Sequence, residues 1–66
     1  MLLREIIISV IGAYCEEYIS DLFRSGIRLK NVYNKGGVIY ARARRRDYKT
    51  IAALSRIYGV RVRIEK

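Results

Sequence analysis

Sixty-six residues make one domain at most, and 52% apolar residues are ample for a packed core, which excludes a disordered chain. Fourteen Lys and Arg, ten of them Arg, against six acids leave a formal charge of +8, a field that attracts phosphates, anionic headgroups or acidic protein surfaces without choosing among them. With no histidine and one cysteine, Cys15, the chain lacks the commonest general base, an intrachain disulfide and any multi-cysteine metal site, and no cofactor is expected.

Residues 5–11, Glu-Ile-Ile-Ile-Ser-Val-Ile, are β-branched and nearly all apolar, as in a central strand. The longest apolar run, residues 6–13, includes Ser9 and Gly12 and is far short of the ~20 residues that span a bilayer. No basic leader with a cleavage site opens the chain, so the expectation is a soluble, cytosolic domain or a soluble piece of something larger. Gly12 ends the strand. A helix follows over residues 14–25, with Cys15, Ile19, Leu22 and Phe23 as its apolar stripe. Glu16 and Glu17 lie in its first turn, where acids suit the positive end of the helix dipole. Being adjacent, they diverge by about 100° and cannot form a catalytic pair. Gly26 stands at the expected C-cap.

Ile27-Arg28-Leu29-Lys30 alternates apolar and basic, as a half-exposed strand does, and runs to about Tyr33. Asn34-Lys35-Gly36-Gly37 signals a hairpin turn, and residues 38–44 form the next strand. Arg44-Arg45-Arg46 before Asp47 is a solvated loop or a grip for phosphate near a helix start. Asp47 is placed to cap a second helix, whose apolar positions are Ile51, Leu54 and Ile57 or Tyr58. Gly59 closes it, and Val60-Arg61-Val62-Arg63-Ile64 alternates as a last strand.

The order is β-α-β-β-α-β, and it repeats. Residues 26–30 match residues 59–63 at an offset of 33, and the same offset lays Ile6, Ile8 and Val10 on Ile39, Ala41 and Ala43. The helices match about one residue out of phase. The fold class is therefore α+β, a ferredoxin-like two-layer sandwich with two helices on one face of a four-stranded antiparallel sheet and the first and third strands central. The offset also assigns faces. If Ile6, Ile8, Val10, Ile39, Ala41, Ala43, Val60, Val62 and Ile64 point to the helices, the other face carries Ile7, Ser9 and Ile11 in its middle. Tyr40, Arg42 and Arg44 come from the third strand, Arg28 and Lys30 from the second, and Arg61 and Arg63 from the fourth.

Those ten residues are the candidate contact surface. An apolar centre of Ile7, Ile11 and Tyr40 between cations suits a protein partner or a second copy of the chain. Tyr40 could instead stack a base while arginines track phosphates, although residues 38–44 lack the aromatic-glycine pattern of an RNA-binding sheet. A basic face could also lie on anionic membrane. The plainest alternative is that Arg and Lys stems cover apolar sheet and block edge pairing. Cys15, on the apolar stripe, reads as core, with a reactive thiol the alternative. Acylphosphatases, small enzymes of this fold, use an Arg in the first loop. Residues 12–15, Gly-Ala-Tyr-Cys, supply none, and no enzyme is expected.

Residues 12–19, 26–32, 46–49, 54–56 and 60–64 together give the chain a family likeness: it resembles the N-terminal domain of the sporulation protein YqfD family. The resemblance implies a membrane-associated protein of a spore-former's mother cell, with this domain a module ahead of a membrane segment. It implies an assembly role and no catalysis.

Overall fold

The computed structural model describes residues 4–66. Its elements follow the order β1 (Glu5–Ile11), α1 (Cys15–Arg24), β2 (Leu29–Lys35), β3 (Val38–Arg44), α2 (Tyr48–Tyr58) and β4 (Arg61–Ile64), with a short 3₁₀ turn, Arg45–Asp47, ahead of α2. The four strands form one antiparallel sheet in the order β2-β3-β1-β4, so the apolar β1 and β3 occupy the centre. Ile6, Ile8 and Val10 of β1 and Ile39, Ala41 and Ala43 of β3 are buried against Cys15, Tyr18, Ile19 and Leu22 of α1 and Ile51 of α2. This is the ferredoxin-like α+β sandwich, and its helix-side face is the one that period-two alternation marks.

The offset of 33 is obeyed more closely than residue types suggest. β1 spans 5–11 and β3 spans 38–44; α1 begins at 15 and α2 at 48. Each helix hands its chain to the following strand through the same bond. The Ile27 amide donates to the Leu22 carbonyl, and the Val60 amide donates to the Ser55 carbonyl. In α1 the Gly26 amide also donates to Phe23, the double bond of a Schellman stop, with apolar Ile27 and Leu22 both buried behind it. The helices are thus in phase. Tyr18 and Ile51 occupy equivalent buried sites, as do Leu22 and Ser55. Ser55 fits a core slot because its hydroxyl donates back to the Ala52 carbonyl at 2.6 Å.

Two helix assignments are corrected, at Phe23 and Asp47, and one alternative, Ile57 or Tyr58, is resolved. Phe23 is 51% exposed, and Tyr18 takes its place in the core, where its hydroxyl donates to the Ile51 carbonyl at 2.5 Å. Of Ile57 and Tyr58, it is Tyr58 that packs inward, its ring 5.9 Å from that of Tyr18 and its hydroxyl donating to Asp21 on α1, while Ile57 is 75% exposed. A stripe read at 3.6 residues per turn tolerates a shift of one position, and in both helices a tyrosine with a partner for its hydroxyl wins the inner site. Asp47 does not cap α2 with its side chain, because the preceding 3₁₀ turn already holds it at φ −86°, ψ −4°.

Two joints depend on backbone shape. The β2–β3 hairpin closes through Gly36 and Gly37 at φ 61° and 85°, the two left-handed positions of a type I′ turn, with the Asn34 carboxamide oxygen accepting from the Gly37 amide. At the end of β1, Gly12 has φ 152°, and a Cβ there would sit 2.9 Å from a Val60 methyl and 3.1 Å from its Cα. The β1–α1 joint therefore touches the entry to β4 with no room for a side chain.

Candidate functional site

The face of the sheet away from the helices carries the sequence-predicted residues. The register places them in rows across the strands. Lys30, Arg42 and Ile7 form one; Tyr40, Ser9 and Arg63 form the next; Ile11 and Arg61 pair at the end of β1. Arg44, Arg61 and Arg63 are exposed, and Ile7 and Tyr40 are half-buried. Arg28 is also exposed but precedes β2, which begins at Leu29, so it flanks the surface rather than standing in a row. Ile64 points to the helix side with its partner Ile8, yet it is 48% exposed because β4 is an edge strand.

The central strip is less apolar than alternation implies. Ser9 is only 3% exposed, and its hydroxyl donates to Glu65 at 2.7 Å. Glu65 reaches it because the chain past β4 stays on β1. The Glu65 amide donates to the Ile7 carbonyl at 2.7 Å, and the Ile7 amide donates to the Lys66 carbonyl at 2.9 Å. Glu5, at the start of β1, lies between two cations, with Lys30 at 3.1 Å and Arg42 at 3.6 Å. The hydrogen bond from Lys30, helped by the charges of Lys30 and Arg42, holds the Glu5 carboxyl below the usual carboxylate range.

The residue that sequence reasoning missed on this face is Tyr33. Lys30 pairs with Arg42 and Tyr33 with Tyr40, so two residues of β2, Asn31 and Val32, lie opposite the single Ala41. This is a β-bulge, and Asn31 at φ 52° is the one non-glycine left-handed residue among those described. Asn is among the few side chains that accept this conformation at low cost. The extra residue turns Tyr33 onto the open face, where its ring stacks on Tyr40 at 5.2 Å and 22°. A hollow of about 170 Å³ results, lined by Ile7, Asn31, Tyr33, Tyr40, Ala41 and Arg42. The signal was present in the spacing: apolar positions at Ile27 and Leu29 jump by three to Val32, a step that a regular strand does not take.

Elsewhere the chemistry is quiet. Cys15 is buried, its thiol donating to the Gly12 carbonyl at 3.1 Å. Burial, then the nearby charges of Glu16 and Glu17, push its pKa up, away from the thiolate a nucleophile needs. Of the Arg44-Arg45-Arg46 run, Arg44 ends β3 and the other two open the 3₁₀ turn, all exposed.

The family model described as "Putative stage IV sporulation protein YqfD" matches residues 1–66, the full length of the chain. The chain belongs to the YqfD family. No curated protein and no solved structure matches it. Among the described residues of this YqfD-family domain, no helix is long and apolar enough to cross a membrane.

Proposed function

We propose that this YqfD-family domain is a non-catalytic interaction module that docks a protein partner of the sporulation machinery on its open sheet face. The observation that carries the reading is the Tyr33–Tyr40 stack beside half-buried Ile7, set within exposed cations. Aromatic anchors ringed by arginine are the composition that binding hot spots favour. A symmetric pair of copies joined sheet to sheet is disfavoured, since it would set one arginine-rich face against another. The nucleic-acid reading gains a second aromatic in Tyr33. It is weakened by Glu5 and Glu65, two carboxylates standing on the face along which a phosphate backbone would run.

The test is quantitative affinity capture from sporulating cells with three versions of the domain. The first is the native chain and the second carries Arg61→Glu with Arg63→Glu on the open face. The third carries Arg46→Glu with Lys49→Glu near the start of α2, which changes net charge equally. A partner retained by the native chain and the third version, and lost from the second, supports the reading. Identical capture by all three overturns it.

A further inference from the structure

We infer that the hollow beside the Asn31 bulge is an anchor site for one apolar side chain of an acidic polypeptide segment. This deepens the docking reading above and rests on it. The walls are of two kinds. Ile7, Tyr33 and Tyr40 offer hydrocarbon and ring surface; Ala41, whose side chain faces the helices, and the bulged Asn31 bring main chain close to the surface. At about 170 Å³ the hollow is below the range of small-molecule pockets and has room for one side chain.

The surroundings set the charge of the occupant. Arg42 and Lys30 share the single carboxylate of Glu5. Arg44, Arg61 and Arg63 enter no ion pair among the described residues, and all three are exposed. One carboxylate between two cations leaves the surroundings of the hollow only weakly positive, and those three arginines make the corners of the face more strongly so. A continuous polyphosphate would meet the carboxylates of Glu5, beside Arg42, and Glu65, on Ser9. A peptide can place an apolar residue there and carboxylates several residues away, where planar guanidinium groups receive them in bidentate fashion. The two tyrosines stack on each other instead of standing apart as platforms for successive bases, which again fits a side-chain anchor better than a strand of nucleotides.

The experiment is an NMR titration of the domain, with affinities from fluorescence anisotropy, using three probes of matched charge. One is a glutamate-rich peptide with a single central leucine, one is the same peptide with serine at that place, and one is oligothymidylate. The leucine peptide is expected to bind about tenfold more tightly than the serine peptide and to shift the signals of Ile7, Tyr33 and Tyr40. Tyr33→Ala should erase the leucine advantage, while Arg61→Glu with Arg63→Glu should weaken both peptides. Equal binding of the two peptides, shifts mapping elsewhere, or tighter binding of oligothymidylate overturns the anchor site. If that happens while capture from cells still depends on Arg61 and Arg63, the docking reading survives and only the anchor falls.

Discussion

Two ionisable side chains give the folded state opposite pH limits. Tyr18 is buried, donates to Ile51, and has its hydroxyl pKa pushed up, chiefly by burial. Because the folded pKa lies above the unfolded one, its contribution is full below the ordinary tyrosine pKa of about 10 and is lost as pH rises beyond it. Tyr18→Phe removes one hydrogen bond and should cost about 0.5–1.5 kcal/mol at neutral pH. The same variant should lose less stability between pH 9 and 11 than the native chain, a difference that urea melts followed by circular dichroism will show. Parallel alkaline losses in both proteins would refute this account. Glu5 sits at the other limit. Its carboxyl is held low by Lys30 and Arg42, so its contribution is present above the unfolded pKa and fades as pH falls through the folded value. Glu5→Gln is expected to flatten stability between pH 5 and 3 and to make the remaining profile less sensitive to salt; an unchanged acid limb would count against it.

At the scale of elements, the bulge in β2 decides what the open face presents. Deleting Asn31 would remove the bulge and leave Tyr33 two positions after Lys30, so regular alternation would keep both on the open face with Tyr33 opposite Tyr40. The Tyr33–Tyr40 ring contact should persist in nuclear Overhauser spectra; its disappearance would show that register alone does not hold the two rings together. Asn31→Gly should be tolerated, whereas Asn31→Val should cost about 1–2 kcal/mol, the penalty for a branched side chain at positive φ. Equal stability of the glycine and valine variants would show that the bulge does not constrain the strand. These contrasts also explain how much the sequence disclosed. β3 and β4 alternate, and the offset of 33 carries their faces onto the nearly all-apolar β1, so the sheet, its helix-side face and the rows of nine of the ten candidate residues were legible from the sequence; Arg28 falls outside the strand. Tyr33 was hidden because one left-handed residue shifts the alternation without changing composition. Ser9's burial was hidden because the group that covers it, Glu65, lies 56 residues away in sequence. Tyr18 was hidden because a hydroxyl looks polar until its partner is known.

Across the whole molecule, the repeat extends to features that no residue identity marks. In β2 two residues separate Lys30 from Tyr33 where β3 has one. Past β4, two residues separate Arg63 from Lys66, while their partners Ser9 and Ile7 are separated by one. Adding 33 to the first bulge gives the second, so both edges of the sheet gain one extra residue at the same height, with a left-handed residue only at Asn31. Bulges and lysines or arginines on edge strands discourage pairing with another sheet, so growth of this domain by edge addition is disfavoured and contacts are left to its faces. The bond between Ile7 and Lys66 also brings the last residue beside the first strand. A circular permutant that opens between Gly36 and Gly37 and joins Lys66 to Glu5 through a short glycine turn would again read β-α-β-β-α-β. It should unfold in one transition with the native far-ultraviolet spectrum; an unfolded permutant would show that the halves are alike in shape but not in folding role. On this geometry the Gly36–Gly37 turn and the Lys66–Ile7 junction are equivalent seams, so the two halves can exchange order without changing the sheet.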